Sequence, residues 1–220
     1  ALQETLDAID FAGKHNNVPF AVFKPTAFIR SSSLERLSSD EKELPAEIQA
    51  DGNKFRDRVK KLCYRAYQHG LPILIDAEDT FYQDFIDRIV YEMQKEFNKE
   101  SAIVFNTYQM YRKDRLDVLK QDHQRAEKEG FFLGAKFVRG AYMEKERERA
   151  RKMGYPDPIQ PDKESTDRDY DLALEFSVEK IDTISVFNGT HNEKSSLWLT
   201  ELMKKFNLRN NDNRCWFSQL

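Results

Sequence analysis

The sequence has little of what marks disulfide-bonded, zinc-binding or membrane-spanning proteins. It contains two cysteines in 220 residues, Cys63 and Cys215, which lie far apart and lack the spacing of metal ligands. We therefore expect no disulfide framework, no metal site and a reducing compartment. No apolar run approaches the ~18 residues of a membrane span, and the amino-terminal residues do not resemble a signal peptide. We expect a soluble chain, with peripheral membrane contact left open.

A large charge of one sign is also lacking. The 35 Lys and Arg residues nearly balance the 38 Asp and Glu residues, which gives a formal net charge of −3. Such a balance offers no general attraction for nucleic acid, so any binding must come from a local site. The chain is long enough for one sizeable core, and we expect a single domain over residues 1–220.

What the chain does contain is a repeated alternation of short apolar runs and amphipathic stretches. The apolar runs are predicted to be strands, at 18–23, 71–75, 102–105, 134–139, 184–187 and 214–217. Residues with helical periodicity are predicted to form helices, at 2–12, 55–69, 81–97, 112–129, 144–152, 166–180 and 192–206. Residues 31–53 are predicted to contain short helices and a loop.

This alternation predicts an α/β fold with a parallel sheet. Polar clusters follow every predicted strand, which favours a (β/α)8 TIM-type barrel whose sites gather at the carboxyl ends of the strands. A doubly wound open sheet is the rival, but no Gly-x-Gly-x-x-Gly follows any strand. About six of the eight β-α units are present in the sequence.

The run at 134–143 carries two cations, Lys136 and Arg139, in otherwise apolar surroundings. Burying an unpaired cation costs roughly several kcal/mol, so each of these two side chains must face an anion or a water-filled cavity. We take this cavity as the candidate site. Phosphate- or flavin-bearing cofactors and carboxylate substrates are the ligands that suit such cations.

Structural interpretations of the polar clusters stay open beside this one. Residues 190–193 have the spacing of a capping box, with Thr190 and Glu193 capping the last helix. Residues 76–79 suit an acidic turn that complements a helix dipole. Lys24 suits a structural salt bridge with Asp76.

Five motifs occur in the order and strand positions of the proline dehydrogenase family. They are KPTA at 24–27, IDAE at 75–78, NTYQ at 106–109, VRGAY at 138–142 and GTHN at 189–192. The chain resembles that family over nearly its whole length, and most closely its stand-alone members. The resemblance implies a flavoenzyme that oxidises L-proline to Δ1-pyrroline-5-carboxylate by hydride transfer to N5 of FAD, with a quinone as the electron acceptor.

The resemblance also implies roles for single residues. Lys24, Asp76 and Tyr142 would be the catalytic and substrate-binding residues, and Leu220 would pack against the substrate side of the flavin. The positions that match flavin contacts are Ala77, Asn106, Gln109, Lys136, Val138, Arg139, Gly140, Met143, Thr190 and His191. Some family members have Arg in place of Lys136, which changes the geometry but keeps the charge.

The family carries two arginines on its last barrel helix that bind the proline carboxylate. This sequence does not include that helix, so we expect the barrel domain to be incomplete at its carboxyl-terminal end. The resemblance places a bacterial member at the cytoplasmic face of the inner membrane, and a eukaryotic one in the mitochondrial matrix or at the inner membrane.

Two other classes of protein remain open on the residues alone. A barrel lyase or aldolase would use Lys24 or Lys136 as a Schiff-base nucleophile, and borohydride trapping on a colourless protein would identify it. A non-catalytic interaction fragment would expose unpaired strand edges and apolar surface, and would bind no flavin.

Overall fold

The computed structural model describes residues 1–219 of the chain. Its helices are α1 (Leu2–Ala12), α2 (Ser31–Leu37), α3 (Ala46–His69), α4 (Thr80–Phe97), α5 (Arg115–Glu129), α6 (Met143–Met153), α7 (Lys163–Glu179) and α8 (Glu193–Lys205). Its strands are β1 (Ala21–Phe23), β2 (Ile73–Ile75), β3 (Val104–Gln109), β4 (Leu133–Val138), β5 (Ile184–Gly189) and β6 (Cys215–Ser218). None of the helices in this described range has the length and apolarity needed to cross a membrane.

The strands pair in the order in which they occur in the chain, and the pairs that define their registers are parallel. A sheet without a reversal of strand order belongs to the barrel class of α/β folds, not to the doubly wound class. The predicted fold class is confirmed, with six strands of the sheet within the described residues.

The chain divides into two compact units, Ala1–Asn106 and Thr107–Leu220. In the first unit, α1, α3 and α4 cover the strands with a buried apolar core that includes Ile9, Phe55, Leu62 and Ile73. Helix α3 ends where Gly70 adopts a left-handed conformation with φ of 61°, as its sequence position predicts.

In the second unit, α7 packs against β4 and β5 and against α5 and α8. Its most deeply buried side chains include Phe137, Tyr170, Leu174 and Leu199. Tyr170 is held in this core by its hydroxyl, which donates to Asn188 Oδ1 at 2.6 Å and lies 3.2 Å from the carbonyl of Phe137.

Several predicted boundaries are wrong. Strand β3 continues through Gln109, where we predicted that it would end at Phe105, because the side chains beyond Phe105 are buried and some of them hydrogen-bond within the protein. The hydroxyl of Tyr108, for example, donates to Asp122 at 2.9 Å. Helix α3 begins at Ala46, directly after Pro45, so the end of the stretch predicted to contain short helices and a loop belongs to one long helix.

Candidate active site

Lys24 and Asp76 follow the carboxyl ends of the paired strands β1 and β2 in the first unit. The Lys24 Nζ lies 3.4 Å from Asp76 Oδ2, which confirms the predicted ion pair. The Lys24 side chain is 57% exposed and that of Asp76 is 19% exposed. Because more than half of the Lys24 side chain is exposed, the lysine is accessible to an anionic ligand. An exposed pair of this kind also contributes little to stability.

Glu78 fixes the turn that carries Lys24. Its buried carboxylate accepts hydrogen bonds from both the backbone N–H and the hydroxyl of Thr26, each at 2.8 Å. In the sequence alone, Glu78 is only one member of an acidic turn and of the IDAE motif. Three carboxylates directly after a strand were the available signal, but nothing in the sequence identifies Thr26 as the partner.

A chain of hydrogen bonds orients Asn106 in the same unit. Gln83 accepts from the backbone N–H of Glu78 at 2.9 Å and donates through its amide to Asp87 at 2.9 Å. Asp87 also accepts from Asn106 Nδ2 at 3.1 Å. Asn106 and Gln83 are both buried, so this chain fixes the orientation of the Asn106 amide beside β2.

Lys136 lies on β4 in the second unit and is 2% exposed. Its Nζ lies 5.8 Å from the centroid of the Phe187 ring, on the neighbouring strand β5. Gly189 keeps room beside it, because a Cβ at Gly189 would lie 3.1 Å from the carbonyl oxygen of Phe137 and 3.7 Å from Lys136 Cε. Strand β4 therefore carries a buried cation beside a glycine of β5.

Arg139 faces an anion, as its sequence context predicts. Its Nε donates to Asp167 on α7 at 2.7 Å, and its guanidinium lies over the Tyr170 ring at 4.3 Å. Burial alone would raise the pKa of Asp167, but hydrogen bonds from Lys163 and Arg139 outweigh that effect and hold the pKa below its usual range. The same guanidinium also donates to Thr190 at 2.7 Å and to Ser195 at 3.0 Å.

The predicted capping box at 190–193 is wrong. The residue that caps α8 is Asn192, whose Oδ1 accepts from the backbone N–H groups of Lys194 and Ser195 at 3.0 and 3.4 Å. Thr190 lies too early in the chain to reach those groups, and its oxygen instead accepts from the Asn192 N–H at 3.0 Å. His191 is exposed between them.

The remaining predicted flavin positions of the second unit differ in exposure. Gln109 is buried at the end of β3, Val138 and Tyr142 are half-buried, and Met143 is 44% exposed at the start of α6. Gly140, between β4 and α6, has a φ of 116°. Leu220, predicted on the substrate side, lies outside the described residues.

Neither a metal centre nor a disulfide is found among residues 1–219. No cluster of three or more His, Cys, Asp or Glu side chains there is arranged to hold a metal ion. Cys63 and Cys215 are both buried as free thiols. Burial raises the pKa of Cys215 to about 12, so this thiol is a poor nucleophile at neutral pH.

Comparison with known proteins identifies the family. The sequence profile described as "Proline dehydrogenase" matches residues 1–220. The chain belongs to the proline dehydrogenase family. Mitochondrial proline dehydrogenase 1 of Homo sapiens is 34% identical over 98% of this chain and 36% of its own length. The carbapenem antibiotics biosynthesis protein CarD of Pectobacterium carotovorum subsp. carotovorum is 34% identical over 100% of this chain and 56% of its own length.

Solved structures support the fold assignment. Proline utilization A (PutA) from Bdellovibrio bacteriovorus, inactivated by N-propargylglycine, matches with a TM-score of 0.83 at 18% identity. The match covers 100% of this chain and 23% of the PutA chain. This chain thus spans about a third to a half of the curated relatives named above, and a smaller part of PutA.

Members of the proline dehydrogenase family are flavoproteins. The donor set of the second unit fits such a cofactor, because it combines a buried cation at Lys136, a buried amide at Gln109 and a hydroxyl at Thr190. Cations, amides and hydroxyls are the groups that bind the phosphates and the polar ring edge of a flavin nucleotide.

Proposed function

We propose that the complete protein containing this chain oxidises L-proline to Δ1-pyrroline-5-carboxylate with bound FAD and passes the electrons to a quinone. The observation that carries the proposal is the buried Lys136 beside Gly189, in a chain whose family profile matches end to end. A flavin nucleotide carries phosphates and a polar ring edge, which are groups that a lysine ammonium binds.

In the first unit, we assign Ala77 and Asn106 to the flavin. In the second unit, Lys136 is the residue proposed to bind the flavin through its charge; Gln109, Thr190 and His191 are proposed to bind through polar groups, and Val138, Gly140 and Met143 to pack against the flavin. Arg139 is included because it contacts Thr190. When bound, the flavin accepts a hydride from the substrate.

Lys24 is proposed to hold the carboxylate of proline, and Asp76 to orient the lysine ammonium through their ion pair. Tyr142 and Leu220 are proposed to close the substrate side. The secondary amine of proline must lose its proton before hydride can leave the adjacent carbon. The site must therefore favour the neutral amine while a fixed cation keeps the carboxylate in place.

We further propose that residues 1–220 belong to a single barrel domain. For a eukaryotic source we propose a mitochondrial location, because the Homo sapiens and Drosophila melanogaster relatives are named as mitochondrial. For a bacterial source we propose the cytoplasmic face of the inner membrane.

The test is an absorption spectrum of the complete purified protein after reconstitution with excess FAD, followed by anaerobic addition of L-proline. We expect flavin absorption bands that persist through gel filtration and that bleach with proline. A protein that retains no flavin would contradict the cofactor assignment. A yellow protein that proline does not bleach would contradict the substrate assignment.

A further inference from the structure

The environment of the Thr190 hydroxyl decides how this residue can contact a ligand. A threonine hydroxyl has one proton to donate and two lone pairs with which to accept. Thr190 Oγ1 accepts from Arg139 Nη1 at 2.7 Å and from the Asn192 N–H at 3.0 Å. Both lone pairs are therefore in use, so any further acceptor can be met only through the hydroxyl proton.

Arg139 is held in place by groups on two helices. Asp167 on α7 accepts from its Nε at 2.7 Å, and Ser195 on α8 accepts from its Nη2 at 3.0 Å. Ser195 in turn donates its own proton to Asp171 at 2.6 Å. The face of the guanidinium lies on the Tyr170 ring. With these contacts, a planar and rigid guanidinium has little freedom to turn away from Thr190.

We propose that Arg139 is a positioning residue, which keeps the Thr190 hydroxyl fixed so that it meets the flavin only as a hydrogen-bond donor to an acceptor atom. The inference rests on the proposed flavin function. It differs from the sequence-based assignment of Arg139, since it routes the effect of the arginine through Thr190 and not through a direct cofactor contact. Within the protein, the phenol oxygen of Tyr170 is an acceptor that the same proton can reach.

The alternative is that Arg139 only joins β4 to α7 and α8. A structural clamp would change the stability of the unit whether or not Thr190 keeps its hydroxyl. A positioning residue would lose its effect on cofactor binding once that hydroxyl is removed. A double-mutant cycle separates the two cases, because it measures whether two substitutions act through each other.

The experiment measures the Kd of FAD for the complete apoprotein by flavin fluorescence. The variants are Arg139→Met, Thr190→Val, the double variant and Thr190→Ser. Arg168→Met is the matched control, because Arg168 is a neighbouring, 62% exposed arginine on α7. We expect each single variant to raise Kd about tenfold and the double variant to raise it no further than Thr190→Val alone. Thr190→Ser and Arg168→Met should leave Kd within about twofold.

The inference is overturned if the two single effects multiply in the double variant, or if Thr190→Val leaves Kd unchanged. If Arg139→Met does not fold, as judged by its thermal unfolding, the same cycle run with Arg139→Lys decides between these outcomes. A wild-type protein that binds no FAD overturns the proposed function together with this inference. Tight wild-type binding with additive effects overturns this inference alone.

Discussion

Lys136 combines a positive charge with almost complete burial on β4. If it binds the flavin, Lys136→Ala should weaken FAD binding by ~2 kcal/mol or more, because truncating one partner of a buried charged contact leaves the other unsatisfied. The change in Kd can be measured by fluorescence titration of the complete apoprotein. Lys128→Ala, at an exposed position near the end of α5, is the control. Equal FAD affinity in the two variants would assign Lys136 to structure.

Lys24 belongs to the substrate side of the proposal. In the complete protein, Lys24→Ala should raise the KM for proline roughly tenfold or more while the flavin stays bound, since the carboxylate loses a charge-assisted contact. Steady-state kinetics with flavin content measured in parallel tests this, with the exposed Lys14→Ala as control. A fall in kcat with unchanged KM would mean that Lys24 acts only in the transition state.

The single residues that sequence reasoning located correctly are those set by strand ends. Lys24 and Asp76 were expected to pair because the carboxyl ends of neighbouring parallel strands meet, and they do. The partners of Arg139 could not be predicted, since Asp167 and Ser195 come from helices whose rotation about their axes depends on tertiary packing. Glu78 was missed as the partner of Thr26 for the same reason.

At the scale of elements, the turn from β4 to α6 depends on glycine. Gly140 has a φ of 116°, and a Cβ there would lie 2.5 Å from carbons of the Tyr111 ring. Gly140→Ala should therefore lower the free energy of unfolding of the apoprotein by about 2 kcal/mol or more. Gly154→Ala is the matched control, because its φ is 74° but nothing lies within 4 Å of the new Cβ. We expect the control to cost about 1 kcal/mol in urea unfolding. Equal losses of unfolding free energy in the two variants would show that the Tyr111 ring moves aside without an energetic cost.

The start of α8 offers a second test at this scale. Asn192→Ala should cost about 1 kcal/mol in the free energy of unfolding, because it removes the acceptor of two backbone N–H groups. Lys194→Ala, on the exposed side of the same turn, should cost much less. If Glu193→Ala lowered the free energy of unfolding more than Asn192→Ala does, the cap would be the capping box of Thr190 and Glu193 and not Asn192.

The order and number of the elements were predictable, whereas their ends were less so. Apolar runs and helical periodicity identified all six strands and the longer helices. The end of β3 was placed too early because NTYQ contains residues typical of loops, and only buried partners such as Asp122 make them acceptable in a strand. The start of α3 was placed too late because the exposed residues after Pro45 carry a weak apolar pattern.

For the molecule as a whole, His123 links stability to pH. Its ring is buried in the second unit, with Nε2 2.8 Å from the hydroxyl of Thr183 and with the edge of Phe176 nearby. Burial is the main cause that lowers its pKa; Lys180 acts in the same direction, and Glu127 opposes them. The folded state thus favours the neutral ring, and the stability it provides is present above the ordinary pKa of about 6.5 and is lost as the pH falls through the folded value.

We therefore expect the free energy of unfolding to decline as the pH falls from about 6.5 towards the lower folded pKa of His123, and His123→Gln to reduce that decline. Urea unfolding at several pH values measures both slopes. His15→Gln, at an exposed position, should keep the wild-type slope. Identical slopes for wild type and His123→Gln would show that other groups set the pH dependence.

The two buried thiols have a consequence for how opening of the chain can be followed. Cys63 lies in the compact unit Ala1–Asn106 and Cys215 in the unit Thr107–Leu220, so each unit contains one cysteine. Burial shields each sulfur and raises its pKa, and only an opening event exposes it to an alkylating reagent. The wild-type chain therefore carries one natural probe in each unit. Mass spectrometry of the labelled peptides would measure the rate of opening of each unit without an introduced probe.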